Sequence, residues 1–394
     1  MLVLSNAQYR KNPIFITRHL VHLIIDREKV MKIAMMGLKG IPCPGGVETV
    51  VEEIGSRLVK RGHEVVIFVR PHYTSRALKE YKGMKLINLP SIPTKNLDAI
   101  THSFLSVFGA INVKPDLVHI HSTGNSIYAF LPRIFGIPTV VTSHGLDWQR
   151  AKWGKFAKKY LKFTDRTTCF FPTATTAVSQ KMRKYYQDTY KKEVLYIPNG
   201  ANEVERLPPK EILKLGLKGN DYILFASRLV PEKGCHYLVR AYKKLGTNKK
   251  LIIAGDGVLG DKYAESLKRE ANSSILFLGF VTGNLLKELL SNAYLYILPS
   301  EIEGLSAGLI EAMSYQNCVL VSDIEENCEA IGSSGFTFKN KSVDDLAEKL
   351  SYLLNHPKVV ESHRKTCFDD VKARYDWDKV TDEYEKLYQS LVGF

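Results

Sequence analysis

A chain of 394 residues, 45% hydrophobic and 24% charged, has the make-up of a globular protein and is long enough for two domains. Its 55 Lys and Arg against 41 Asp and Glu leave a net charge of +14, a basic surface that suits nucleic acid, anionic lipid or phosphorylated small molecules. No nucleic-acid-binding module is readable, so nucleic acid is not expected as a partner. The six cysteines (Cys43, Cys169, Cys235, Cys318, Cys328, Cys367) are scattered without paired spacing. That excludes a zinc knuckle or secreted disulfide framework and points to reduced thiols in a cytoplasmic protein. No run approaches the ~20 apolar residues of a membrane span.

Residues 1–30 read as an extension outside the fold. Phe15 to Ile25 is short, is broken by Arg18, His19 and His22, and lacks a small-residue cleavage site, so it makes a poor signal peptide. From Met31 onward, strand-like and helix-like stretches alternate. The first half offers strands at Lys32–Met36, Glu64–Val69, Leu117–Ile120, Thr139–Thr142, Ala174–Val178 and Val194–Ile197, with a clear amphipathic helix at Val47–Val59. Pro198-Asn199-Gly200 through Pro208-Pro209 is turn-rich and reads as an interdomain hinge. The second half offers Ile223–Ala226, Leu251–Ala254, Ile275–Leu278, Tyr294–Leu298 and Cys318–Val321, then a helical region at Trp377–Val392. Such alternation predicts an α/β protein with two parallel, helix-covered sheets.

Several turns after these strands carry chemistry. Gly45-Gly46 ends a Gly/Pro-rich loop and opens the first helix, where backbone N–H groups can face an anion. Ser143-His144-Gly145 ends a first-half strand, and a histidine there points toward the crevice in which such sheets bind ligands. His119 and His121, on and after the preceding strand, read as packing or acceptor-rim residues. In Ser227-Arg228-Leu229-Val230-Pro231-Glu232-Lys233-Gly234, two cations five residues apart form a clamp for a charged leaving group. Glu303 and Glu311 are eight residues apart, around the small-residue turn Gly304-Leu305-Ser306-Ala307-Gly308-Leu309. This turn should open a helix whose N-terminus attracts a diphosphate.

Gly255-Asp256-Gly257-Val258-Leu259-Gly260 satisfies the dinucleotide fingerprint by its letters. A nicotinamide enzyme also needs an acid ending the next strand, and Leu278-Gly279-Phe280-Val281 has none. Asp376-Trp377-Asp378 lies in a polar stretch before the last helix and reads as a helix cap, so no metal is assigned. From Trp148 through Phe163, Trp153, Phe156, Tyr160 and Leu161 fall at helical spacing among Lys152, Lys155, Lys158, Lys159 and Lys162. Two readings stay open: a core stripe with solvated lysines, or a surface for anionic lipid or a lipid-phosphate acceptor.

Together Arg228, Lys233, Glu303 and Glu311 resemble the donor-site signature of the family-4 glycosyltransferases, and the likeness extends from the Met31 region to about Trp377. The resemblance implies the GT-B fold, two Rossmann-like domains with parallel sheets facing across a cleft. An acceptor-side domain is expected at 31–203, a nucleotide-sugar-binding domain at 204–375, and a C-terminal helix, 376–394, returning to the first domain. It further implies transfer of a sugar from a UDP- or GDP-linked donor to a glycan or lipid-linked acceptor, usually with retention. Arg228 and Lys233 would stabilise the departing diphosphate, Glu303 and His144 would orient the donor sugar, and Glu311 would hold the ribose. Gly45, Gly46, Gly255, Asp256, Gly257, Phe280, Val281, Leu305, Ser306, Gly308 and Leu309 would border the nucleotide. Family members carry a glycine and a proline where this chain has Tyr315-Gln316-Asn317-Cys318. The rivals are another GT-B-fold enzyme, such as a nucleotide-sugar epimerase, and a non-catalytic nucleotide-sugar-binding protein.

Overall fold

The computed structural model describes residues 30–94, 97–149, 153–257 and 260–393. Most of the expected N-terminal extension, with Arg150 and Lys152 of the basic stretch and Val258 and Leu259 of the glycine-rich turn, lies outside the described residues.

Short runs of β-branched and apolar residues form the strands, and most are buried on both sides, as strands of parallel, helix-covered sheets must be. The first sheet uses β1 (Lys32–Met36), β2 (Glu64–Val69), β3 (Glu80–Tyr81), β4 (Met84–Asn88), β5 (Leu117–Ile120), β6 (Thr139–Ser143), β7 (Ala174–Ala177) and β8 (Leu195–Tyr196). Their order is β3-β4-β2-β1-β5-β6-β7-β8, parallel except for the β3–β4 hairpin. Its helices are α1 (Gly46–Lys60), α2 (Asp98–Asn112), α3 (Phe130–Ile134), α4 (Lys155–Phe170) and α5 (Gln180–Tyr190).

After an irregular connection, the second sheet takes β9 (Tyr222–Ala226), β10 (Lys250–Ala254), β11 (Ile275–Gly279), β12 (Leu295–Leu298), β13 (Val319–Ser322) and β14 (Phe336–Phe338), ordered β11-β10-β9-β12-β13-β14 and wholly parallel. It is wrapped by α6 (Cys235–Tyr242), α7 (Lys262–Lys268), α8 (Gly283–Asn292), α9 (Ala307–Ser314), α10 (Glu325–Ile331), α11 (Val343–Asn355) and α12 (Pro357–Arg374). The expected strands occur at their places within a residue or two. The edge strands β3 and β14, and β4 beside β3, are additions that the sequence pattern did not announce.

The last helix, α13 (Trp377–Val392), leaves the second sheet and packs its Trp377, Tyr384 and Tyr388 on Met31, Ile33 and Ile54 of the first domain. Glu385 of α13 accepts hydrogen bonds from Arg61 at 2.6 Å and from the His63 ring at 2.8 Å. The Asp376 carboxylate accepts from the backbone N–H of Asp378 at 2.7 Å and of Lys379 at 3.1 Å, so this Asp-Trp-Asp run caps the helix. Where family members have glycine before β13, Gln316 keeps the left-handed backbone at φ 59°.

Candidate active site

In each sheet the strand order reverses at one place, between β1 and β5 in the first and between β9 and β12 in the second. A crevice opens at the carboxyl ends of the strands at such a switch point. The residues singled out above gather at these two places and make the walls of the cleft.

The second-sheet wall consists of the loops after β9 and β12. They are fastened to each other by the Glu301 N–H donating to the Glu232 carbonyl at 2.8 Å. Gly234 has φ +69°, and a Cβ there would lie 1.9 Å from the Pro299 carbonyl oxygen, so only glycine permits this approach. The approach brings Lys233 Nζ to 2.5 Å from Glu303 Oε1, with both side chains largely buried. Arg228 stands exposed on the same loop and has no side-chain partner among the described residues. Leu305 is buried, and its carbonyl accepts from Asn199 Nδ2 at 2.8 Å.

Ser306 caps α9, its hydroxyl accepting from the Leu309 N–H at 3.3 Å. The N–H groups of Ala307 and Gly308 are left for a ligand. Leu309 itself puts its side chain into the core. Glu311, one turn along α9, opens to solvent within the crowded cleft. Dehydration raises its carboxyl above the ordinary value, Lys287 opposes the rise, and Glu53 of α1 adds to it.

Toward the nucleoside side, the Gly255 N–H donates to the Gly279 carbonyl at 2.7 Å, and the Asp256 carbonyl accepts from the Leu229 N–H at 3.0 Å. The turn thereby joins the cation loop to the end of β11. The Asp256 carboxylate is held by Lys268 at 2.6 Å, a contact that lowers its pKa. It also accepts from the Gly257 N–H at 2.7 Å. Phe280 is exposed beside this turn, and Val281 packs on the core.

On the first wall Gly45 precedes α1, which starts at Gly46. The buried Glu48 carboxylate accepts from the Lys39 N–H at 3.0 Å and shapes the loop. His144 sits just past β6, its Nε2 3.3 Å from His121 Nδ1. His119 continues the series, its ring 3.7 Å from that of His121 and its nitrogens bonded to the Tyr388 and Thr142 hydroxyls at 2.6 and 2.7 Å. Burial holds all three imidazoles neutral, with His144 lowered to about 4. Among the described residues, His121 Nε2 is buried without a hydrogen-bond partner.

The walls touch at Gly304, where a Cβ would lie 2.1 Å from the His144 carbonyl oxygen. The site thus unites Lys233, Glu303, Gly304 and His144, with Glu311 and the α9 N-terminus beside them. Sequence reasoning undervalued Gly304, whose role depends on a partner 160 positions away (304 − 144). His119 on β5 and His121 just past it, expected as packing or acceptor-rim residues, are both fully buried.

The Trp148–Phe163 segment needs a correction. α4 begins at Lys155, its inward face is Leu161, Thr164, Asp165, Thr167 and Thr168, and Phe156 is 88% exposed. Phe156 therefore belongs to no core stripe, because helical spacing from Trp153 was counted across a loop that precedes the helix. Among the described residues no helix is long and apolar enough to cross a membrane.

Two parallel-sheet domains with loops meeting across a cleft define the class of GT-B glycosyltransferases. Among solved structures, sucrose-phosphate synthase of Thermosynechococcus elongatus shares this fold at TM-score 0.80 and 19% identity, covering 92% of this chain and 99% of its own. HepE of Anabaena, solved with UDP and glucose, does so at TM-score 0.76 and 19% identity, over 91% and 100%. The family model "Glycosyltransferase Family 4" matches residues 44–204, and "Glycosyl transferases group 1" matches 209–367. The chain belongs to the family-4 glycosyltransferases. An uncharacterized glycosyltransferase of Methanocaldococcus jannaschii is 27% identical over 91% of this chain and 98% of its own length. The phosphatidylinositol N-acetylglucosaminyltransferase gpi3 subunit of Schizosaccharomyces pombe is 25% identical over 89% and 79%. The UDP-Gal:alpha-D-GlcNAc-diphosphoundecaprenol alpha-1,3-galactosyltransferase of Escherichia coli is 28% identical over 71% and 76%.

Proposed function

We propose that this glycosyltransferase moves a sugar from a nucleotide diphosphate donor to a lipid-linked or glycan acceptor, with retention at the anomeric carbon, in cell-surface glycan or glycoconjugate synthesis. The observation that carries the reading is the Lys233–Glu303 pair, fastened at one switch point and facing His144 of the other wall. The names of the gpi3 relative and of the galactosyltransferase acting on a diphosphoundecaprenol-linked sugar support a lipid-linked acceptor. HepE, solved with UDP-glucose, supports a uridine diphosphate donor, with GDP as the alternative.

In the reaction the bond from the anomeric carbon to the diphosphate oxygen breaks and a bond to the acceptor hydroxyl oxygen forms. The acceptor proton passes to the leaving phosphate. Negative charge grows on that phosphate, and Lys233, Arg228 and the free N–H groups of α9 meet it, so the protein's part is electrostatic and positional. Glu303, held by Lys233, and the neutral His144 orient the sugar, and Glu311 takes the ribose hydroxyls. Gly255 to Gly257, Phe280 and Val281 border the base.

Screening UDP- and GDP-sugars by thermal stabilisation, then assaying transfer by mass spectrometry with NMR of the product anomer, tests the reading. Lys233→Ala is expected to lower turnover about a hundredfold or more while the melting temperature holds near wild type. Near-normal turnover in that variant removes the clamp from the account.

A further inference from the structure

We propose that the helical layer formed by α2, α3 and α4 docks on an anionic lipid bilayer, with one end of the layer at the cleft edge. The purpose of such docking rests on the lipid-linked acceptor proposed above, while the surface itself is independent of that chemistry.

On α4, Phe156, Phe163 and Phe170 recur every seven residues, almost two full turns, and so form one stripe. All three are exposed, at 88%, 52% and 42%. The same helix carries Lys155, Lys158, Lys159, Lys162 and Arg166. Its single acid, Asp165, is buried and accepts hydrogen bonds from the hydroxyls of Tyr185, Tyr186 and Tyr190 at 2.8, 2.7 and 3.1 Å. The outward face of α4 is therefore aromatic and positive only.

The neighbouring helices also expose apolar side chains. Phe130 of α3 meets Phe171, just past α4, at 5.5 Å between ring centroids. Ile134 and the following Phe135 are 69% and 63% exposed. On α2, Phe104 and Phe108 stand exposed and edge-to-face at 5.1 Å, and Phe104 reaches Tyr128 at 6.1 Å. The single acid of α2, Asp98, is occupied by Arg70 at 2.6 Å and Ser91 at 2.6 Å.

Scattered exposed hydrophobes are ordinary, but an apolar surface spread over three adjacent helices marks an interface. Charge complementarity selects the partner. Lysines flanking exposed phenylalanines, with both local acids withdrawn, fit an anionic headgroup layer over an acyl boundary. Orientation follows from topology. α2 and α4 both begin on the side of the sheet where β4 and β6 end, which is the cleft side. Phe156 lies at that end of α4, whereas Ile134, Phe135 and Phe170 come just before β6 and β7 at the opposite edge, so a bilayer against the layer runs along its length and meets the cleft edge only at the Phe156 end.

Co-flotation of the full chain with vesicles of phosphatidylcholine, alone or mixed with phosphatidylglycerol, tests this. Wild type should float with the anionic vesicles only, and less as salt rises. Ile134→Ser with Phe135→Ser and Phe156→Ser, or Lys155, Lys158, Lys159 and Lys162 all to Gln, should lower partitioning by about tenfold or more. Their melting temperatures and their transfer to a soluble acceptor analogue should match wild type, which separates failure of docking from failure of the chemistry. Equal flotation of wild type and variants, or no flotation of wild type, overturns the proposal. Loss of a wild-type dimer in the variants, seen by light scattering without vesicle binding, overturns it too and makes the layer an interface between copies.

Discussion

The two walls of the cleft are built on opposite electrostatic plans. The second-sheet wall concentrates charge: Lys233 ion-paired with Glu303, Arg228 exposed and without a side-chain partner among the described residues, and the N-terminus of α9. The first wall presents imidazoles that burial keeps neutral, His144 resting on His121 and His121 on His119. A diphosphate then finds Arg228 and Lys233 on one side, and its sugar is directed toward the neutral imidazoles of the other, with Lys39 the exposed cation of the first-wall loop. One-sided charge orients a donor that a cleft lined with cations throughout would bind in several ways.

The contact between the walls is the place to break this arrangement with largest effect. Gly304 has no room for a methyl group against the His144 backbone, so Gly304→Ala must part the walls or move the loop that carries Glu303. A displacement of about 1 Å costs about a hundredfold in rate. Thermal unfolding should stay near wild type, since Gly304 is not part of the core of either sheet. Unchanged kcat/KM would mean that the reacting state does not need this approach.

A smaller effect is expected at Glu311, which sharpens the comparison because it belongs to the charged wall without a direct ion pair. Glu311→Ala should weaken donor binding about tenfold, the loss of a charge-assisted hydrogen bond or two, and change turnover little once the donor is saturating. Calorimetry with the nucleoside diphosphate reads this directly. An unaltered dissociation constant would leave Glu311 as a solvated helix residue.

The charged wall was largely legible in the sequence, because each of its parts lies on a short motif after a strand. Arg228 and Lys233 flank one turn, and Ser306 announces the helix that Glu311 occupies. The closeness of Lys233 to Glu303 was not legible, since it depends on Gly234 sliding under Pro299, a contact between loops 65 positions apart (299 − 234). Alternating apolar runs gave the strands, while β3 and β14 escaped because such short edge strands bury little, and β4 because Lys85 and Asn88 break its apolar run. The neutral wall was hardly legible, for a histidine's protonation depends on burial that only the packed sheet supplies. Phe156 misled because its helical spacing from Trp153 runs across the loop before α4, so the two share no helix face.

The neutrality of the first wall makes the subtlest prediction. His144 is lowered from 6.5 to about 4, so between those values the unfolded chain carries a proton that the folded state refuses. The unfolded state then binds more protons, and stability is lost as pH falls through 6.5 toward about 4. Each such group contributes a slope of at most about 1.4 kcal/mol per pH unit. His119 and His121, buried and shifted in the same direction, steepen it. Urea titrations across this interval should show the midpoint falling with acid. NMR of the His144 ring should meanwhile show a neutral imidazole for as long as the fold persists. A ring that instead titrates near 6.5, with transfer rate following it, would place a cation on the first wall below that pH, where the folded protein is expected to keep the ring neutral, and the one-sided charge plan would fail there.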